Sequence, residues 1–209
     1  MKRYFKRLQL TLFLIVASCL FSPALSASAE DPVEAVQKVA DRAVAKIGNG
    51  GSWSSRRKVA NQIVRSRFDA DLIGRLSLGP YWKKATASER RTYTKTFKTA
   101  LGEFILEVFS GYAGERLKVV RSSQDSRNPK YFIVHSLLRQ ANGPKAKVDW
   151  KLRKRGGRFV AVDIKVKGHS LVYSFKRDYT RYLKRHNGNM SKLIDRMKKD
   201  IAKSKAKRR

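Results

Sequence analysis

The stretch KVDWKLRKRGGRFVAVDIKVK, residues 147–167, decides the fold. In its first half Val148, Trp150 and Leu152 alternate with Asp149, Lys151 and Arg153. In its second half Val160, Val162, Ile164 and Val166 alternate with Ala161, Asp163, Lys165 and Lys167. A period of two places alternate side chains on opposite faces of a strand, so each half reads as a strand with one apolar and one charged face. The short Gly-containing turn Arg155–Arg158 between them makes the pair antiparallel.

Upstream, RLKVV (116–120) and KYFIVHSLL (130–138) read as two more strands, with turns at Ser122–Lys130 and Ala141–Lys145. Before Gly114 the period is that of a helix. Val33, Val36, Ala40, Val44 and Ile47 recur at helical spacing, and Val59, Ile63 and Val64 mark a second helix through Arg57–Arg67. A short segment with Leu72, Ile73 and Leu76 ends at Gly79-Pro80. Thr86 and Glu89 form a T-x-x-E capping box that starts a long helix. Its apolar stripe is Tyr93, Phe97, Leu101, Phe104, Ile105, Val108 and Tyr112, with Gly102 and Glu103 outside it. Helix resumes at Leu171, breaks at Asn187-Gly188-Asn189, and restarts with Ser191 as the expected N-cap. The expectation is an α+β fold: a four-stranded curved antiparallel sheet covered by several helices.

The chain carries 48 Lys and Arg against 16 Asp and Glu, a formal charge of +32. Its first residues read as a signal peptide: the charged MKRYFKRL, an apolar run to Phe21, and Ala27-Ser28-Ala29 as the cleavage site. Removing residues 1–29 takes four cations and no acid, leaving +28. The expected organisation is a signal peptide at 1–29, one domain at 30–203 and a basic disordered tail at 204–209. VASC, Val16–Cys19, is a competing lipoprotein box that would anchor Cys19. Without that anchor, the exported chain has no cysteine chemistry. An exported polycation meets anionic lipid and envelope polymers before it meets nucleic acid, so a periplasmic protein without a nucleic-acid partner is expected.

His135, His169 and His186 lack metal-ligand spacing, and no P-loop, G-x-S-x-G elbow or dinucleotide fingerprint occurs. No metal, cofactor or enzymatic activity is expected. Asp149 and Asp163 could serve a small hydrolase as base, but their places beside Lys151 and Lys165 read as cross-strand ion pairs. The aromatic stripe fits both a packed core and the wall of a ligand cavity, and periodicity does not separate the two.

The whole succession resembles the MlaC family of periplasmic phospholipid-binding proteins, also called toluene-tolerance auxiliary proteins of an ABC transport system. The resemblance runs from about Val33 to Met197. FDADLIGRLSLGPYWKKATASERRTYTKTF and VDWKLRKRGGRFVAVDIKVKGHSLV carry it, followed by YSFKRDYTRYL and LIDRM. Phe68, Asp69, Leu78, Gly79, Trp82, Phe97, Val148, Asp149, Asp163, Gly168, Ser170, Leu171 and Val172 match the family pattern. His169 stands where the family has a small apolar residue, and Phe159 where it has tryptophan.

The resemblance implies a cone-like sheet-and-helix shell around an apolar lipid cavity, with bound glycerophospholipid as cargo. It would be lined by Leu72 and Leu76, by Tyr81 and Trp82, and by Tyr93, Phe97, Leu101, Phe104, Ile105 and Val108. From the sheet would come Ile133, Val148, Trp150, Val162 and Ile164. The implied partners are an outer-membrane lipoprotein/porin complex and an inner-membrane ABC transporter with its lipid-binding subunit. The implied role is carriage of phospholipid between them, which maintains outer-membrane lipid asymmetry. An anionic membrane surface is a further expected partner. The competing reading is a basic envelope module that binds polyanions through its exterior, with a solid interior.

Overall fold

The computed structural model describes residues 30–110, 114–139 and 145–208. The expected signal peptide, and with it Cys19, lies outside the described residues. Helix α1 (Pro32–Ala43) passes through one π turn (Val44–Gly48) towards α2 (Trp53–Arg67), α3 (Ala70–Leu78), the short α4 (Tyr81–Lys84) and the long α5 (Ala87–Ser110). The sheet follows as β1 (Arg116–Gln124), β2 (Tyr131–Arg139), β3 (Ala146–Arg155), β4 (Arg158–Val166) and β5 (His169–Ser170). Helices α6 (Leu171–Arg185) and α7 (Met190–Lys207) complete the order.

Helix starts follow local chemistry. Asp31 accepts from the amides of Val33 and Glu34, Asp69 from Leu72, and Ser170 from Tyr173. At α5 the capping box closes in both directions, with Thr86 Oγ1 accepting from the Glu89 amide and Glu89 Oε2 from the Thr86 amide. Asn189, not Ser191, caps α7 by accepting from the Lys192 amide at 3.0 Å. The same helix continues to Lys207, past the boundary at residue 203 where a disordered tail was expected.

The sheet is antiparallel in the order β1-β2-β3-β4-β5, with five strands instead of four. The added strand is two residues long. Lys167 and Gly168 both take positive φ (49° and 83°), a two-residue hairpin turn that folds His169 and Ser170 back onto Val166 and Lys165. A strand this short leaves no alternation to read.

The alternation expected along β4 holds only near its end. The β3–β4 register runs Trp150↔Ile164 and Lys151↔Asp163, then slips to Leu152↔Ala161 and Lys154↔Phe159. Val162 is the extra residue of this bulge. Ala161 and Phe159, instead of Val160, therefore share the face of Trp150, Leu152 and Ile164. Helix α1 covers that face: Ala35, Val36 and Val39 lie over Trp150, Leu152, Phe159 and Ala161. Ile133, expected on the inner face, pairs with Lys151 and sits on the outer one with His135 and Asp149. The outer face is charged: His135 Nδ1 is hydrogen-bonded to Asp149 Oδ1 at 2.8 Å, and Lys151 is ion-paired with Asp125 at 2.6 Å.

Two buried carboxylates tie distant segments together. Asp69 is 2% exposed and meets Arg153 and Arg155 of β3, while its amide donates to the Ala161 carbonyl at 2.9 Å. Glu103 accepts from Arg57 Nε at 2.6 Å and from Ser204 Oγ at 2.7 Å, joining α2, α5 and α7. Gly102 and Glu103, read from sequence as outside the apolar stripe, are thus both buried. Because Glu103 leaves Arg57 half-stranded when removed, Glu103→Ala is expected to cost about 2–4 kcal/mol, read as a lower urea midpoint with an unchanged slope.

Candidate functional site

The site begins in the core and opens outward along α5. At its inner end Tyr93 and Phe97 are fully buried and stacked, with ring centroids 5.8 Å apart. The Tyr93 hydroxyl donates to the Gly74 carbonyl at 3.0 Å. A Cβ on Gly74 would lie 3.0 Å from the Phe97 ring, so the absence of a side chain there lets α3 approach the stripe. Helix α6 supplies the facing rings. Phe175 meets Phe97 edge-on at 5.6 Å and stacks on Tyr179 at 5.8 Å, and Tyr179 meets Tyr93 edge-on at 6.3 Å.

Further along, the seam reaches the surface. Phe104 packs edge-on against Phe175 at 5.8 Å and is 38% exposed, and Val108, one turn later, is 59% exposed. The start of α6 and the end of β4 lie at the same end of the molecule, because β5 links them directly. There Tyr173 is 64% and Val166 45% exposed, while Val148, paired with Val166, is buried. Four of the large apolar side chains that meet solvent therefore lie at the same end of the molecule, the mouth end, where α5 ends, α6 begins and the inner sheet face runs out. A concentration of this kind marks a binding surface more than scattered exposure does.

The inner sheet face carries its own polar pairing. Trp150 Nε1 donates to Ser136 Oγ at 3.0 Å, and that hydroxyl donates to the Val148 carbonyl at 2.8 Å. Burial pushes the Tyr93 phenol well up, and burial likewise pushes the Tyr179 phenol up, so both stay neutral at any physiological pH. Asp163, a candidate base, is engaged by the amides of Ile164 and Val172 and by Ser170 Oγ, and it forms the clasp of the β4–β5–α6 corner. Among the described residues, no cluster of three His, Cys, Asp or Glu could hold a metal, and no helix is long and apolar enough to cross a membrane.

The other expected site residues are dispersed. Leu101 and Ile105 of the stripe are buried in the core, and Trp150 and Ile164 lie on the inner sheet face. Leu72 is half-buried and Leu76 is 43% exposed on α3. Gly79, at φ 53°, turns the chain from α3 into α4. Tyr81 then packs against Gly188, and both line a polar surface depression of about 370 Å³ with Lys84, Glu89 and residues 187–191. Trp82 lies under the Arg90 guanidinium at 5.5 Å. The apolar cleft between α1 and the sheet measures about 20 Å³, room for roughly one water and not for an acyl chain. Sequence reasoning missed Phe175 and Tyr179. Their helical spacing with Leu171, Val172 and Leu183 was the available signal.

The profile of the MlaC protein family matches residues 34–199. Among solved structures, the fold is shared with a phospholipid-binding protein from Ralstonia solanacearum in complex with a phospholipid. The TM-score is 0.71 at 17% sequence identity, over 84% of this chain and 99% of that one. At that identity the likeness establishes the fold.

Proposed function

This chain belongs to the MlaC protein family, and on that premise we propose that it is a periplasmic phospholipid carrier. The observation that supports this reading is the aromatic seam between α5 and α6, closed at Tyr93 and open at Phe104 and Val108. Two acyl chains of about thirty methylenes in all lose on the order of 20 kcal/mol when exposed to water, at about 0.8 kcal/mol per methylene. A carrier therefore needs an apolar interior that opens at one edge and keeps water out of the rest.

The seam supplies apolar walls for such an interior, sealed at Tyr93 and exposed at Phe104 and Val108. Acyl chains enter at the mouth by displacing the half-exposed Phe104 ring from Phe175, which stays anchored on Phe97 and Tyr179. The phosphate headgroup remains outside, beside the polar ends of the strands. The buried neutral phenols and satisfied indole offer no charge for the chains to desolvate. No bond is made or broken in this cycle: the protein takes lipid from one membrane and gives it to another. Its partners in this reading are an outer-membrane lipoprotein/porin complex and an inner-membrane ABC transporter with its lipid-binding subunit. The first 29 residues are a cleavable export signal, and the domain starts at Glu30. That residue is held by Arg67 (2.5 Å) and by the Phe159 amide (2.7 Å), so the domain is fastened from its first position.

The test is transfer. Protein stripped of lipid in organic solvent and refolded is mixed with donor vesicles carrying a labelled phospholipid, then with unlabelled acceptors. The reading requires label to appear first in the protein fraction and then in the acceptors. Label that never leaves the donors refutes it.

A further inference from the structure

We propose that the outer face of the sheet, at the mouth end, docks on the surface of an anionic bilayer. This inference rests on the reading of the mouth as a lipid portal and adds to it the face and the charge that present the portal to a membrane.

The observation is an arrangement of cations that the fold alone does not favour. Arg116 of β1 and Arg139 of β2 are directly opposed in the antiparallel ladder, and both are exposed. Like charges in that position repel and destabilise the pair. The next row of the same face runs Lys118, Leu137, Lys147. Lys165 and Lys167 continue it along β4 and its turn, both exposed. None of these six cations has an ion-pair partner among the described residues. Asp149, opposite Lys165, is already held by His135 at 2.8 Å. The acids are committed to other cations: Asp125 takes Lys151, Asp69 takes Arg153 and Arg155, and Glu107, beside Val108, takes Lys207 and Arg208. Among the described residues, Arg127, Lys130 and Arg158 at the opposite end of the sheet also lack an ion pair; the mouth end is set apart by two directly opposed arginines, neither of them neutralised, with exposed apolar side chains at the same end.

Chemistry and position together name the partner. Six uncompensated cations call for a polyanion, and each one near an anionic leaflet adds to binding. The exposed Phe104, Val108, Val166 and Tyr173 lie at the same end of the molecule as these outer-face cations. Aromatic and aliphatic side chains beside a basic field suit a lipid headgroup layer, which takes apolar groups and phosphates side by side. An acidic protein surface would be matched by charge alone.

The experiment is vesicle flotation with the full protein, using phosphatidylcholine vesicles and vesicles in which phosphatidylglycerol replaces a third of it. The wild type is expected to float with the anionic vesicles only, and less as salt rises. Arg116→Glu with Arg139→Glu should lower the bound fraction at least about tenfold. Arg127→Glu with Lys130→Glu, at the opposite end of the sheet, changes the net charge equally and should leave flotation near the wild-type level. Should the double reversal fail to fold, Arg116→Ser with Arg139→Ser carries the test. That neutral pair relieves the repulsion, so it should melt higher than wild type while binding less. Equal losses in both charge reversals would reduce the effect to net charge and overturn the proposal. Wild type that ignores anionic vesicles would also overturn it and leave an acidic protein surface as the counterpart. Lipid extracted from the same preparations separates the two readings. Lipid present with no vesicle docking sinks this inference alone, and lipid absent sinks the carrier reading.

Discussion

Phe104→Asp is expected to leave the protein folded and empty it of lipid. The ring is 38% exposed and packs on Phe175 at the edge of the seam, so a carboxylate there can stay hydrated in the free protein. Once acyl chains enter, the same carboxylate must either lose water or block the passage. A charge buried without a partner costs several kcal/mol, enough to reduce bound lipid by well over tenfold. Circular dichroism and melting near the wild-type values, with lipid per protein cut to background, is the expected pair of results. Lipid content equal to wild type would remove Phe104 from the path.

Seven residues earlier in the same stripe, the expected result reverses. Phe97 is fully buried, touches rings from α5 and α6, and lies against Gly74 of α3. Phe97→Ala leaves a cavity that three helices cannot close together, at a cost of about 3–5 kcal/mol. For a domain of this size that lowers the melting temperature by roughly 10 °C. Urea unfolding checks it directly, and a loss below about 1 kcal/mol would mean that the inner seam is loosely filled. The two substitutions together separate the inner end of the stripe, which holds the fold, from its outer end, which meets cargo.

That separation could not be read from periodicity. Tyr93, Phe97, Phe104 and Val108 follow one helical spacing, and nothing in their types says that two are sealed and two are open. The difference comes from what faces them: Gly74 and Tyr179 at one end, solvent at the other. Features set by a few neighbouring residues were legible, including the Thr86–Glu89 box, the turn at Gly156-Gly157 and the switch from helical to strand period after Gly114. Features set by distant partners were not. Glu103 looked solvent-facing because Arg57 and Ser204, which bury it, lie on other helices. Val162 could not be recognised as a bulge because Ala161 on its other side is also apolar, so either phase of alternation fits the letters.

Several of the residues that carry the family resemblance proved to be fasteners of the fold. Asp69 ties α3 to β3 and β4, Asp163 and Ser170 clasp the corner before α6, and Gly168 supplies positive φ in the turn that makes β5. The resemblance therefore pointed to the shell more than to its contents. The mouth emerged only when exposure was placed on the topology. Four apolar side chains from three elements, separated by up to sixty-nine positions between Phe104 and Tyr173, come out at one end.

The most direct test of the carrier reading is native mass spectrometry of the protein purified without detergent from bacterial cells, followed by organic extraction. A mass excess that disappears on extraction and is recovered as phospholipid is the expected result. A protein that shows only its own mass, and still does after incubation with phospholipid vesicles, would contradict it.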